Sequence, residues 1–378
     1  MDFDLNEEQR LLKESVDRLL LDRYDFEARK RHMSGPEGWS PEIWESFAEL
    51  GLLALPFSEE DGGFGGGGAE AMLVMESFGR ALVVEPYFAT VILGGGLMAR
   101  AASAEQRARV LPGVIEGRTR LAFAHSERQS RYDLADVRAT AVRDGEGWKL
   151  NGDKTLVLHG DCAQQLIVSA RVAGGPRDEG GVGLFLVAAD APGLSRRGYA
   201  TQDGMRAAEV ALRDVRAEAL GDPEGAMPII RQVADEAVAA LCAEAVGAME
   251  RAHELTIEYL KTRQQFGVHI GAFQALQHRG AEMFVALEQA RSMAMLAAMM
   301  SRDPDPVERS RAVSGAKVQV DRSGRFIGQS AIQLHGGVGM TMEYAVGHYF
   351  KRLSMIEKTF GDIDHHLRLV SEAGGMAL

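Results

Sequence analysis

The sequence predicts an α+β multidomain fold. We expect an N-terminal α-helical domain over residues 1–120, a middle antiparallel β barrel or sandwich over 121–225, and a C-terminal four-helix-type bundle over 226–378. Apolar residues recur at helical spacing towards both ends of the chain. Between those regions they give way to short β-rich runs separated by glycine, proline and aspartate. The 378 residues also suffice for about two or three domains.

The N-terminal domain begins with a clearly marked helix. "LNEEQRLLKESVDRLL" places apolar residues at helical spacing, and Asn6 and Gln9 occupy capping-box positions. A second helical run, "GAEAMLVMESFGRAL", follows the glycine-rich loop "EEDGGFGGGG". Because no Lys-Ser/Thr pair follows that loop, we interpret it as a surface turn and not as a phosphate cradle.

The middle domain shows strand patterns. "RATAVRDGEGWKLNG" alternates around a glycine-containing turn, which predicts a hairpin. Further β-rich runs are "QLIVSARV", "GVGLFLVAAD" and "AEVALRDV". Since these runs do not alternate with long helices, the pattern argues against a parallel βαβ sheet and favours a compact antiparallel barrel or sandwich.

The C-terminal domain contains long helical runs with broad apolar stripes, joined by short connections, which predict an up-down bundle. We interpret the methionines at 283, 293 and 295 as bundle core or helix interface. The bundle is expected to assemble the chain into a dimer or tetramer.

Composition excludes several classes of function. The net charge of −12 and the pI of about 5.4 argue against nucleic-acid or acidic-membrane binding. Two cysteines, Cys162 and Cys242, provide no disulfide framework and no zinc spacing, so no metal site is expected. The N-terminus is acidic where a signal peptide would be basic, and the longest apolar stretch is broken by Pro86 and glycines. We therefore expect a soluble cytoplasmic protein.

The stretch "QLHGGVGMT", residues 333–341, raises the possibility of a phosphate site. Glycines at 336, 337 and 339 allow positive φ and close approach of a ligand to the backbone. A helix end beside such a loop offers free N–H groups to an anion. Taken alone, however, the motif is more typical of a helix-connecting turn.

The two C-terminal motifs together resemble the acyl-CoA dehydrogenase family of flavoproteins. "TRQQFG" at 262–267 and "QLHGGVGMT" occur at the family's separation, downstream of a β segment. "LGLLALPFSEEDGGFG", "LNGDK" and "GMRAAEVALRDV" extend the resemblance over nearly the whole chain. More narrowly, the acidic opening and the "HYFKRL…FGDIDHH" ending look like the small subunit of bacterial pimeloyl-CoA dehydrogenases.

The resemblance implies an FAD site that is shared across a subunit interface. In the family, an arginine in the R-x-x-F-G motif and the Gln-x-x-Gly-Gly loop reach the neighbouring subunit's FAD. A guanidinium offers a fixed fork of donors to pyrophosphate oxygens, and glycines let backbone N–H groups approach. The implied cofactor-binding residues are Arg263, Gln265, Phe266, Gln333, Leu334, Gly336 and Gly337, with Ser126 kept from the chain's own flavin site.

The resemblance also implies a general base, and both family positions for it lack a carboxylate. The family reaction removes the α proton of an acyl-CoA thioester to a glutamate and the β hydride to flavin N5, so a base must lie within reach. Here Phe360 occupies the C-terminal position and Ala237 the position on the helix before R-x-x-F-G. Glu236 is a substitute only if the helix register shifts by one residue. Other nearby carboxylates are Glu244, Asp362 and Asp364.

The chain's own half of a flavin site departs from the family pattern. The Thr-Glu-Pro-x-x-Gly-Ser-Asp stretch reads "SERQSRYD", which keeps Ser126, Glu127 and Asp133 but introduces arginines and a tyrosine. Leu156 occupies the position of the family's flavin-stacking tryptophan, and Leu158 occupies the position of the threonine that hydrogen-bonds to the flavin ring. A leucine side chain cannot donate a hydrogen bond to the flavin. A polar edge of the flavin ring that is buried without its partner would therefore cost about 1–3 kcal/mol of binding free energy.

The residues that the family uses to bind a neighbour's flavin are thus kept in this chain, while several that it uses to bind the chain's own flavin are replaced. This asymmetry favours a subunit of a heteromeric acyl-CoA dehydrogenase, a heterotetramer for example, completing the FAD site of a homologous larger subunit. Two alternatives remain: a self-sufficient homo-oligomeric dehydrogenase with a displaced base, and a non-catalytic acyl-CoA-binding or scaffold protein. Electron-transfer flavoprotein is the implied electron acceptor, and a dicarboxylyl-CoA such as pimeloyl-CoA is the implied substrate.

Overall fold

The computed structural model describes residues 5–375. Its α-helices are α1 (Glu7–Arg23), α2 (Phe26–Ser34), α3 (Pro41–Glu49), α4 (Gly68–Ala81), α5 (Gly96–Ala101), α6 (Ala104–Ile115), α7 (Met227–Thr262), α8 (Gln274–Met300), α9 (Pro306–His335), α10 (Ala345–Lys358) and α11 (Ile363–Glu372). The strands are β1 (Leu121–Ala124), β2 (Thr140–Asp144), β3 (Gly147–Leu158), β4 (Gln165–Arg171), β5 (Val182–Ala188), β6 (Leu194–Ala200), β7 (Arg206–Leu220), β8 (Gln264–Gln265) and β9 (Val268–His269). A π-helical segment, Phe88–Gly95, precedes α5. The predicted order of helical, β and helical regions is confirmed.

The first helix begins where its capping box predicts. The Gln9 backbone N–H donates to the Asn6 side chain at 2.8 Å, and the Asn6 backbone N–H donates to the Gln9 side chain at 3.1 Å. The two residues therefore satisfy two of the backbone donors that a helix start leaves without an intrahelical partner.

The middle region forms a closed sheet. Strand β4 pairs with β5, β5 with β7, β7 with β3, β3 with β2, and β2 returns to β4 through one bridge, Thr140 to Arg171. Two further strands extend it, since β1 pairs with β4 and β6 with β7. The closed circuit confirms the barrel alternative, and it leaves few strand edges unpaired.

The barrel is mainly antiparallel, as the sequence predicts, and it also contains two parallel contacts. Strands β1 and β4 pair in parallel, in register from Leu121↔Gln165 to Ala124↔Val168, and the single β2–β4 bridge is parallel too. The β2–β3 hairpin lies between β1 and β4 in the chain, so the connection is long enough to bring the two strands side by side in the same direction.

The interior of the barrel is aliphatic and aromatic. Trp148 on β3 meets Phe185 on β5 with ring centroids 5.3 Å apart, in an edge-to-face arrangement. Leu150, Leu166 and Val210 are fully buried around them. Alternating burial along β3 follows the two-residue period of a strand with one face towards the core.

The described chain forms two compact units. One contains the residues up to Lys30, Gly68–Val83 and the chain from Val238 onward, and the other contains Arg31–Gly67 and Val84–Ala237. The first unit holds α1, α4 and the C-terminal helices, and the second holds the barrel with α3, α5 and α6. The domain boundaries at 120 and 225 stay a prediction.

In the first unit, α4 and α7 cross where each carries a glycine. A Cβ on Gly79 would lie 1.8 Å from the carbonyl oxygen of Glu244, and one on Gly247 would lie 1.9 Å from that of Glu76. No larger side chain fits between the two backbones. Around this crossing, α9 packs against α8, α10 and α11. Among residues 5–375, no helix is both long and apolar enough to cross a bilayer.

Candidate active site

The glycine loop, Gly336–Gly339, begins where α9 ends. Gly336 has φ 61° and ψ −139°, a conformation open to glycine alone, and a 3₁₀ turn follows from Gly336 to Met340. Gly336 and Gly337 are exposed, and a Cβ on either would meet no atom within 4 Å. Gln333 is exposed and Leu334 half-buried on the preceding helical turn. The loop backbone is therefore open to a ligand from outside the chain.

The second motif forms a small hairpin directly after α7. Strands β8 and β9 pair through Gln265↔Val268, with Phe266 and Gly267 at the tip. Phe266 has φ 56° and is 90% exposed. A bulky residue in the left-handed region is uncommon, and an exposed aromatic ring contributes little to folding, so the tip presents an aromatic surface to another molecule.

Arg263 and Gln265 are both exposed at this hairpin. The Arg263 backbone N–H still donates to the last turn of α7, at Tyr259 O and 2.8 Å, while its carbonyl accepts from Ile270 across the hairpin at 2.9 Å. The backbone of Arg263 is thus fixed and its guanidinium faces solvent. Such a group can hold a phosphate or pyrophosphate oxygen.

Tertiary structure brings the two motifs together through aromatic rings. Tyr259, one turn before Arg263, stacks on His335, with ring centroids 4.5 Å apart and planes at 30°. His335 immediately precedes the glycine loop. Sequence reasoning missed this pair, because neither residue belongs to a pattern of local periodicity. The only available signal was the position of His335 inside the glycine motif.

The residues that the family uses for a chain's own flavin lie in the barrel unit. The Thr155 backbone N–H donates to Ser126 O at 2.9 Å, which places half-buried Ser126 beside the irregular end of β3. Leu156 sits in that irregularity with φ 51° and is 41% exposed, and Leu158 is half-buried. The two leucines offer no hydrogen-bond donor to a flavin ring.

A buried ion pair supports this segment. Lys154 Nζ donates to Glu127 Oε1 at 2.7 Å, and the Arg138 and Ala139 backbone N–H groups donate to the same carboxylate. Burial opposes ionisation of Glu127, but the Lys154 charge and these hydrogen bonds outweigh it and lower the pKa of the carboxyl. Glu127 is therefore an ionised structural anchor next to Ser126.

The two residues that the resemblance in sequence assigns to the family's general-base positions, Ala237 and Phe360, carry no acid. Ala237 is fully buried on α7. Phe360 is half-buried with φ 60°, and it lies between α10 and α11. Neither side chain can accept a proton.

The carboxylates near these positions already have structural partners. Arg100 Nη2 lies 2.5 Å from Glu236 Oε1, and Arg352 binds both oxygens of buried Glu244 at 2.6 and 2.7 Å. Asp362 caps α11 by accepting from the His365 backbone N–H at 3.1 Å; burial opposes its ionisation, but this bond and Lys358 lower its pKa. Asp364 is exposed in the first turn of α11. The structure therefore assigns a structural role to three of the four.

FAD fits one half of this arrangement and not the other. The hairpin and the glycine loop provide an exposed guanidinium, an exposed aromatic ring and a backbone that a ligand can approach closely, which suit a pyrophosphate and a flat ring system. The Gly336 N–H is not available to such a ligand, because it donates to the α9 carbonyls of Ile332 and Gln333. At the other half, the side chains of Leu156 and Leu158 donate no hydrogen bond to a flavin ring edge, which leaves the Ser126 hydroxyl as the polar side chain that the resemblance assigns there.

This fold and these motifs define a flavin-dependent oxidoreductase acting on acyl thioesters. The chain belongs to the acyl-CoA dehydrogenase family: its residues 6–118, 122–215 and 224–375 match the N-terminal, middle and C-terminal domains of acyl-CoA dehydrogenase. Acyl-CoA dehydrogenase FadE12 of Mycobacterium tuberculosis is 32% identical over 81% of this chain and 80% of its own length. The protein is therefore an oxidoreductase acting on acyl-CoA with FAD as cofactor.

Two solved structures extend the comparison. A Tcur3481-Tcur3483 steroid ACAD variant is 31% identical, with a TM-score of 0.88 over 97% of this chain and 99% of that one. PigA with FAD and proline is 26% identical, with a TM-score of 0.89 over 99% of each chain.

Proposed function

We propose that this chain is a subunit of a heteromeric acyl-CoA dehydrogenase, in which it completes the FAD site of a homologous, larger and catalytically competent partner. The observation that carries the proposal is an asymmetry. Arg263, Phe266 and the glycine loop are exposed and preformed, whereas Phe360 and Ala237 stand where a base is needed.

In this proposal the chain binds and orients, and its partner supplies the base. FAD, when bound, accepts the hydride from the β carbon of the acyl-CoA. Arg263 neutralises pyrophosphate charge, Gln265 and Gln333 offer side-chain amides, and Gly336 and Gly337 let the phosphates approach the loop backbone. Phe266 and Leu334 supply apolar contact to the cofactor rings and exclude water there.

The finer assignments rest on the resemblance in sequence. We propose a dicarboxylyl-CoA such as pimeloyl-CoA as substrate, a heterotetramer or dimer as the assembly, electron-transfer flavoprotein as the electron acceptor, and the cytoplasm as the location. The relationship to the Tcur3481-Tcur3483 steroid ACAD, which is named for two components, supports a two-component assembly.

The proposal is tested by purifying the chain alone and co-expressed with a homologous dehydrogenase chain encoded beside it. We expect the isolated chain to be colourless, because the side chains of Leu156 and Leu158 donate no hydrogen bond to a flavin ring. It should also reduce no dye with acyl-CoA, because a missing base costs about 10²–10⁴-fold in rate. The co-expressed pair should show flavin absorbance and turnover, with one FAD per pair of unlike chains.

Two other outcomes would contradict the proposal in different ways. A yellow isolated chain that turns over acyl-CoA by itself indicates the self-sufficient homo-oligomer. A chain that binds acyl-CoA, but neither gains flavin with any partner nor supports turnover, indicates the scaffold protein.

A further inference from the structure

His335 lies at the junction of three chain segments. Its ring stacks on Tyr259 near the end of α7, and it also contacts Tyr344, the residue just before α10, at a centroid distance of 5.0 Å and an interplanar angle of 48°. Tyr259 and Tyr344 themselves approach edge-to-face at 6.5 Å. His335 is 3% exposed, so these contacts surround it.

Hydrogen bonding fixes the orientation of this ring. His335 Nδ1 lies 2.8 Å from the carbonyl oxygen of Ala331, one turn earlier on α9, so Nδ1 carries the hydrogen and donates it. Nε2 is buried and makes no hydrogen bond of normal geometry within residues 5–375. Burial lowers the pKa of His335, although the hydrogen bond to the Ala331 backbone opposes the shift.

The two stacked residues, Tyr259 and His335, each lie close in the chain to one of the two proposed FAD-binding motifs. The Tyr259 carbonyl accepts from the backbone N–H of Arg263, so a movement of Tyr259 moves the base of the hairpin. His335 is bonded directly to Gly336, where the backbone turns out of α9. The stacked rings therefore connect the guanidinium-bearing hairpin to the glycine loop.

Two separate motifs hold one pyrophosphate more tightly if their spacing is fixed before the ligand arrives. Surface hairpins are mobile, and ordering one on binding lowers affinity. A ring clamped by a hydrogen bond at Ala331 and by stacking on Tyr259 removes that freedom in advance.

We propose that His335 is a positioning residue that holds the Arg263 hairpin and the Gly336–Gly337 loop in register, so that both bind the same FAD. The inference rests on the proposed function, because it assumes that these motifs bind the cofactor. It explains why the two motifs bind the same FAD, since His335 contacts the segment before the hairpin and directly precedes the loop.

The test is a double-mutant cycle on the assembled heteromeric complex, read as the FAD dissociation constant in a fluorescence titration of apo complex. The four proteins are wild type, Arg263→Ala, His335→Leu and the double variant. We expect His335→Leu to weaken FAD binding about tenfold in the wild-type background and far less when Arg263 is already absent. Coupling of this kind requires that His335 act through Arg263.

Two further variants keep the result interpretable if His335→Leu fails to fold. His335→Phe keeps a flat ring against Tyr259 and should retain most of the affinity for FAD. Tyr259→Leu removes the stack from the other side and should reproduce the loss. Thermal unfolding of each isolated chain should stay close to wild type.

The outcomes separate the two proposals. Equal losses from His335→Leu in both backgrounds, or no loss in either, overturn the positioning role alone. If Arg263→Ala does not weaken FAD binding, the proposed contact across the interface is wrong and the positioning role falls with it.

Discussion

Glu236 Oε1 accepts a hydrogen bond from Arg100 Nη2 at 2.5 Å, and the Gln232 side-chain amide donates to the same oxygen at 3.4 Å. The Glu236 side chain is 13% exposed. To act as a general base, this carboxylate would have to give up a charge-assisted bond that is about twice as strong as a neutral one. Its geometry is that of an anchor between α7 and α5.

We therefore predict that Glu236→Gln leaves the turnover of the assembled enzyme nearly unchanged. The measurement is dye reduction with acyl-CoA, and Glu45→Gln, an exposed carboxylate in the same unit, is the matched control. A loss of about 10²-fold or more that the control does not share would identify Glu236 as the base.

Glu244 is expected to matter for stability. It and Arg352 form a two-point ion pair in which the residues are 3% and 8% exposed. Removing one partner leaves the other charge buried, so Glu244→Ala should lower the free energy of unfolding by about 3–5 kcal/mol. Urea denaturation measures this, with exposed Glu258→Ala on the same helix as control. A change below about 1 kcal/mol would show that Arg352 finds another partner.

Arg263→Ala should reduce FAD retention in the assembled complex without unfolding the chain. The side chain is exposed, and removal of a surface charge usually changes stability by less than about 0.5 kcal/mol. Flavin absorbance after gel filtration gives the occupancy, and Arg302→Ala, another exposed arginine in the same unit, controls for net charge. If Arg263→Ala retains full FAD occupancy, Arg263 is only a solvated surface charge and does not bind the cofactor.

Variants at Gly336 and Gly337 distinguish the effect of backbone strain on stability from the effect of close ligand approach on FAD binding. Gly336→Ala should destabilise the chain by about 1–3 kcal/mol, because φ 61° with ψ −139° excludes a Cβ. Gly337 has no positive φ and open space around it, so Gly337→Ala should leave unfolding unchanged. If phosphates approach this loop, Gly337→Ala should nevertheless weaken FAD binding. Unaltered affinity would indicate that the loop is only a turn.

Because His125 is buried, we predict that the free energy of unfolding depends on pH. Burial, reinforced by the Lys154 charge, lowers the pKa of His125 to about 3, while unfolding restores an ordinary value near 6.5. The unfolded chain then binds one more proton, so this contribution to stability is intact above pH 6.5 and is lost as the pH falls towards 3. The loss should approach about 1.4 kcal/mol per pH unit.

The measurement is urea unfolding of wild type and His125→Gln at neutral pH and at two acidic values. All other titrating groups are common to both proteins, so the difference between the two curves isolates His125. Parallel curves would mean that the ring has the same pKa in the folded and the unfolded chain, so that its buried position beside the Ser169 hydroxyl at 2.9 Å does not shift it.

The sequence by itself determined the fold class and the starting points of individual elements. Helical and strand periodicities, the Asn6–Gln9 capping box and the glycine-rich turns are local, so residues a few positions apart are enough to specify them. The motifs at 262–267 and 333–341 identified the family, and the residues at 237 and 360 led to the prediction that this chain lacks the base, because these features depend only on which residue stands at a given position.

Tertiary structure alone decided which distant residues meet. The parallel β1–β4 pairing, the Glu236–Arg100 and Glu244–Arg352 ion pairs and the Tyr259–His335 stack all join segments far apart in the chain. Local patterns carry no information about such contacts, since a carboxylate that could be a base and one that is locked in an ion pair look alike in sequence. Only burial and the identity of the facing charge distinguish them, and both are properties of the packed chain.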